Sequence, residues 1–171
     1  MVIVKRLLRI IDDISDRSGS IISVLWYFML IPLILEVILR YGFNRPTIWA
    51  HEIAAMVFGA YFMLGAAYCL RHKGHIAVDV LYLRLSERKR AIIDIVTFIF
   101  FLAICVTLIW HGGIIARDSW QTLEHSNSTF APPLYYMKTA VPLGTLMLLV
   151  QGLAKLIRDF VIAITGKELE Y

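Results

Sequence analysis

The chain has 171 residues, 59% of them hydrophobic and 18% charged, with a formal net charge of +4 and a mean hydropathy of +0.71. That composition exceeds what a water-soluble domain can bury, so an ordinary soluble globular protein is excluded and a membrane protein is expected. The positive excess lies beside the apolar runs, where anionic headgroups meet it, so nucleic acid is not needed to explain it.

In chain order, Ile3, Leu7, Ile10 and Ile14 recur at helical spacing beside Leu8 and Ile11, while Lys5, Arg6, Arg9, Asp12, Asp13 and Asp16 take the other positions. This predicts an N-terminal amphipathic helix lying at the membrane surface. A cleaved signal sequence fits less well, because no small-residue cleavage site follows Arg40. The stretch 19–40 is long and apolar enough to cross, since a span needs about 20 residues, and Pro32 within it predicts a kink. Glu36 precedes Arg40 by four residues, the order that favours pairing. Trp49, His51 and Glu52 then open the second span, 50–70. A carboxylate inside an apolar run is costly unless paired. Glu36, Arg40, Trp49, His51 and Glu52 are therefore candidates for a docking or clamping site for another protein, with intrahelical pairing and snorkelling as the plainer account.

Ala55, Gly59 and Ala66 stack along the second span, next to Ala54, Ala60 and Ala67, and such small residues let helices approach closely in lipid. After Arg71 and His72 come His75 and Asp79, within or beside the apolar run 76–83. That run is too short to cross and predicts a cytoplasmic interfacial segment anchored by His75 and Asp79. Ser86 offers an N-cap and Glu87 a favourable first-turn charge for a third helix spanning 91–115. A loop is expected from Arg117 to Lys138, then a fourth span over 139–161 with Pro142 in its first turns and Gln151 deeper. A lone Gln in such a span serves helix packing by bonding a neighbour.

Unsatisfied peptide groups in hydrocarbon cost several kcal/mol each, and Leu-, Ile- and Phe-rich runs of this length do not suit a barrel. The expected fold is an all-α integral membrane protein, a single domain over 1–171, with four transmembrane helices plus N-terminal and cytoplasmic interfacial amphipathic segments. Thirteen of the 17 Lys and Arg residues flank the side that carries both termini, which predicts cytoplasmic termini. Trp49, Trp110, Trp120, Tyr135 and Tyr136 gather towards the other side, at interfacial depth.

Ionisable groups inside spans mark transport paths, and the middles of these four lack them, which argues against a free-standing channel or carrier. Cys69 and Cys105 lack metal-ligand spacing, and no phosphate loop, zinc-protease motif or nucleophile elbow occurs, so no enzyme and no cofactor in this chain is expected. His51 and His111 are predicted at comparable depth, which leaves a haem-carrying membrane anchor of a respiratory complex as the alternative.

The segments Arg40-Tyr41-Gly42-Phe43-Asn44, Trp49-Ala50-His51-Glu52, Leu64-Gly65-Ala66-Ala67-Tyr68, Gly74-His75-Ile76-Ala77-Val78-Asp79, Pro132-Pro133-Leu134-Tyr135 and Gln151-Gly152-Leu153 resemble the small Q, or DctQ-type, subunit of tripartite ATP-independent periplasmic (TRAP) transporters. Where many relatives have an acidic residue before the Glu of the second span, this chain has His51. The resemblance implies a scaffold subunit in a bacterial inner membrane. Its partners would be a large DctM-type membrane subunit, which would hold the Na+ and organic-acid sites, and a periplasmic substrate-binding protein. Phospholipid held between subunits at the basic cytoplasmic rim is a further expected partner.

Overall fold

A computed structural model describes residues 2–72, 74 and 85–166. It contains four apolar helical rods long enough to cross a membrane: Ile3–Gly42, Trp49–Arg71, Glu87–Thr122 and Tyr135–Thr165. The first is composite, with α1 (Val2–Ser23) followed by α2 (Leu25–Val37) and a π-helical turn, Ile38–Gly42. The others are α3 (Trp49–Arg71), α4 (Glu87–Gln121) and α5 (Tyr135–Thr165). Among the described residues no strand forms, and a single isolated bridge joins His125 to Pro133. The chain is an all-α integral membrane protein.

Each expected span lies within one rod, but the rods run further. The loop expected from Arg117 contracts to residues 122–134, because α4 continues through Ala116 and Ser119, which are buried and keep the helix packed past the apolar run. Ser86 takes the N-cap position of α4 in an extended conformation, but its side chain makes no capping hydrogen bond. Pro32 does not end α2. The irregularities of that rod fall at Val24, where Val24 N donates to Ile21 O at 3.2 Å and Tyr27 N to Val24 O at 3.1 Å in the tighter 3₁₀ spacing, and at the π turn.

Helix α5 is the centre of the bundle, packed on α4 along most of its length, on α3, and near its end on α1, while α2 covers α3. Its buried positions are small or polar: Ala140, Gly144, Thr145, Gln151, Gly152 and Ala154. At Gly144 an added Cβ would lie 2.3 Å from the backbone oxygen of Met63, so α3 and α5 touch backbone to backbone. Helix association in lipid relies on this kind of van der Waals approach rather than on water release.

Charged groups at the two ends bracket an apolar slab. At 1.5 Å per residue, Glu52 to Arg71 on α3 spans about 28 Å, Lys138 to Lys155 on α5 about 26 Å and Asp94 to Arg117 on α4 about 34 Å, against a hydrocarbon thickness of about 30 Å. The ends are chemically distinct. One, the basic end, carries Arg71, Arg88, Lys89, Arg90, Lys155 and Arg158; the other, the aromatic end, carries Trp49, Trp120, Tyr135 and Tyr136.

The N-terminal helix is amphipathic, as its apolar spacing predicts. It runs almost unbroken into the first span and turns Leu8, Asp12, Ser15 and Ile22 onto the bundle, all buried. Gly19 belongs to the same stripe, and an added Cβ there would lie 2.2 Å from Tyr68 Cδ2, so only glycine admits α3 this closely.

Candidate functional site

At the aromatic end the chain must leave α2, turn and enter α3 without stranding backbone groups in lipid. Glu36, buried in the last turn of α2, organises that turn. Its Oε1 accepts from Arg40 Nε at 2.8 Å and from Arg40 Nη2, and its Oε2 accepts from Thr47 N at 2.7 Å and from the Thr47 hydroxyl. One carboxylate thus pins both the end of the helix and the returning loop. Asn44 adopts φ 50°, a region that Asn tolerates, and Arg45 N donates to Leu39 O at 2.9 Å, closing the π turn.

The loop places Trp49 half-buried at the start of α3, His51 exposed and Glu52 half-buried. Glu52 does not join Glu36. Its Oε2 accepts from Ser128 Oγ at 2.7 Å and ties α3 to the 122–134 loop. That loop is itself closed. Ser126 N donates to Pro132 O and Leu134 N to Glu124 O, both at 2.9 Å, while Leu123 (φ 46°) and Ala131 (φ 45°) occupy left-handed conformations that cost such residues energy. Glu124 pairs with Lys138, and the Lys138 ammonium bonded to it holds the carboxyl below its ordinary range. Trp120 donates from Nε1 to Thr139 Oγ1 at 2.8 Å and lies 4.5 Å, ring to ring, from Tyr135. Of the five outer candidates, then, the structure joins Glu36 to Arg40 and sends Glu52 to a different partner. Trp49 and His51 have no hydrogen bond or ion pair to either carboxylate.

At the basic end a buried polar knot forms where the sequence offered only isolated groups. Asp12, 4% exposed, pairs with Arg71 of α3 and with Arg158 of α5 at 2.5 Å, and accepts from Gln151 Nε2 at 3.1 Å. Gln151 Oε1 in turn accepts from Ser15 Oγ at 2.9 Å. Asp16 pairs with Arg71 Nε at 2.7 Å and with His72 Nε2 at 3.0 Å. Gln151 therefore bonds α1 at residues that precede the expected first span. Beside this knot Lys155 pairs with Asp159 at 2.8 Å and with Asp94, at the mouth of a cleft of about 160 Å³ also lined by Phe98 and Phe101. Asp12, Ser15 and Asp16 were missed as partners. The signal was present in the stripe Leu8, Asp12, Ser15, Gly19, Ile22, a second helical face hidden behind the more obvious apolar one.

The remaining candidates are scattered. Ala55 is exposed, Ala66 half-buried, and Gly59 faces Met137, whose Cε would lie 2.8 Å from an added Cβ; the fully buried alanines of α3 are Ala50, Ala54 and Ala67. His75 and Asp79 lie outside the described residues. His51 and His111 are both exposed, on α3 and α4, two helices that each pack chiefly on α5. Among the described residues no cluster of three metal-ligating side chains occurs. Between the ends, buried Thr145 bonds back to Val141 O at 2.8 Å, so the described slab interior offers no chain of polar groups from one end to the other. The arrangement fixes helices and loops.

Comparison with known proteins agrees with that character. Residues 29–161 match the family described as the DctQ component of tripartite ATP-independent periplasmic transporters. A Haemophilus influenzae protein provisionally named a TRAP transporter small permease protein is 34% identical over 104 residues, covering 61% of this chain and 60% of its own length. The C4-dicarboxylate TRAP transporter small permease protein DctQ of Vibrio cholerae is 31% identical over 93 residues, 51% of this chain and 40% of its own. The sialic acid TRAP transporter permease protein SiaT of another Haemophilus influenzae strain is 32% identical over 108 residues, 63% of this chain but 17% of its own. The chain thus spans less than two thirds of the length of each relative. With most of its length inside the family match, this chain belongs to the DctQ component family of the tripartite ATP-independent periplasmic transporters.

Proposed function

We propose that this chain is the scaffold subunit of a Na+-driven, binding-protein-dependent importer of organic acids in a bacterial inner membrane, and that it acts as one membrane domain. It braces a large membrane subunit and helps dock a periplasmic binding protein. The observation that carries this reading is the pairing of a slab without a polar path with an apolar surface its own fold leaves open. Between residues 92 and 115 of α4 the one buried residue is Cys105, while Ile99 and Phe100 stand exposed. Such a bundle offers binding area and no route for a solute.

The long SiaT permease supports the same partner, since a segment like this chain makes up 17% of that protein. Sialic acid and C4-dicarboxylates, named for two relatives, are both carboxylates, which supports an organic-acid cargo. The basic end suits the cytoplasmic side and would place both termini there. The aromatic end would then face the periplasm, where the Glu36 and Glu52 tethers hold Trp49, His51 and the strained loop in one shape for a binding protein. Such preorganisation lowers the ordering cost of docking.

Purification from native membranes in mild detergent, followed by mass spectrometry of stoichiometric partners, tests the assembly. A much larger polytopic membrane protein is expected; haem-bearing respiratory subunits would overturn the reading. Vesicles reconstituted with the three proteins should take up the cargo only with an inward Na+ gradient, and uptake that persists without the gradient or without this chain would remove that part of the proposal.

A further inference from the structure

The sequence of α1 is close to charge-balanced: Lys5, Arg6, Arg9 and Arg17 against Asp12, Asp13 and Asp16. Folding sorts these charges. Asp12 turns inward onto Arg71 and Arg158, and the half-buried Asp16 pairs with Arg71 and His72. Arg6, Arg9 and Arg17 remain exposed, with no ion-pair partner among the described residues, and the exposed acid left on the helix is Asp13. Ile3, Leu7, Ile10, Ile14 and Ile21 are exposed as well, at the alternating four- and three-residue spacing that places them on one face. Arg6 adjoins that stripe and Arg17 falls within its line. The stripe that packs on the bundle, Leu8 to Ile22, lies on a different face.

The outward half of α1 is therefore an apolar strip with Arg6 beside it, Arg17 in its line and Arg9 further round the helix, at the end of the bundle where the charged groups mark the slab boundary. A neutral bilayer would satisfy the strip but leave the net positive charge of the arginines uncompensated, and an acidic soluble surface would compensate the arginines but not cover the strip. An anionic phospholipid surface satisfies both, with acyl chains against the isoleucines and phosphates at the guanidinium groups. From this charge sorting we infer that α1 is an anionic-phospholipid-binding face, held in place by the Asp12 knot. The family match begins at residue 29, beyond α1.

The test uses the full chain with Cys69 and Cys105 replaced by Ala and a bimane fluorophore on Ile10→Cys, reconstituted in phosphatidylcholine vesicles containing a minority of phosphatidylglycerol. Bromine is carried by one lipid or the other at equal mole fraction. Brominated phosphatidylglycerol should quench the probe about two-fold or more beyond brominated phosphatidylcholine, and R6Q/R9Q/R17Q should equalise the two. Equal quenching in the unsubstituted chain would mean contact with neutral bilayer alone and would overturn the proposal. Absence of quenching by either lipid would also overturn it, by placing the face in water or under protein. Neither result depends on a transporter partner, so the proposed assembly stands or falls separately.

Discussion

Asp12 is the residue whose loss should be felt most widely at the basic end. Asp12→Asn preserves shape and removes the charge that faces Arg71 and Arg158, whose side chains are 25% and 23% exposed. Breaking a fully buried pair in this way costs 3–5 kcal/mol, that is, about 4 kcal/mol. Here the partial exposure of both guanidinium groups and the surviving Asp16 pair to Arg71 reduce it, so about 2–3 kcal/mol is expected, or a fall of roughly 4–12 °C in Tm. Asp13, one residue on and exposed, is the control, and its Asn variant should stay within about 0.5 kcal/mol of the parent. Thermal unfolding of the purified chain in detergent, followed by far-ultraviolet circular dichroism, gives the comparison. Amide hydrogen exchange should show α1 loosening in D12N while the middle of α4 is unchanged. If D12N and D13N melt alike and α1 keeps its protection, the knot does not hold α1 and the reasoning fails.

Gly144→Ala must push α3 and α5 apart, because its new methyl meets the Met63 backbone rather than a movable side chain; about 1–3 kcal/mol of destabilisation is expected. Gly113→Ala, in open space on α4, should be neutral or gain up to about 1 kcal/mol, and equal melting of the two variants would contradict the close approach. Glu36→Gln and Thr47→Val should each speed amide exchange at Thr47 and through residues 43–48, and unchanged protection would show that the carboxylate does not pin the turn. The lowered pKa of Glu124 fixes the sign of a pH effect. The Lys138 tether is intact above the ordinary carboxylate value of 4.5 and is lost as pH falls through the depressed folded value, so exchange in 122–134, corrected for intrinsic rate, should accelerate only below about pH 4.5. Glu124→Gln should show the loosened rate at every pH; a parent loop insensitive to acid would count against the tether.

What the sequence by itself determined follows from solvent chemistry. Apolar runs of membrane length, with no water to satisfy a non-helical backbone, require helices wherever they cross, and the placement of Arg and Lys beside them distinguishes the two ends. The pair Glu36 and Arg40 was legible too, because four residues on a helix bring side chains together regardless of the rest of the fold. Partnerships between distant segments were not legible. Asp12 with Arg71 and Arg158, Ser15 with Gln151, and Glu52 with Ser128 join residues on different helices, and helical periodicity gives a face without saying which other face it meets. The small residues show the same limit: Ala55 and Ala66 repeat as clearly as any, yet the tightest approach falls at Gly144, because packing angle and depth decide which small residue is needed. Tertiary structure also decided the charge of α1, whose acids and bases nearly cancel along the chain and separate only when Asp12 is drawn inward to the arginines of neighbouring helices, a paired state that a buried carboxylate requires, and Asp16 pairs with Arg71 beside it.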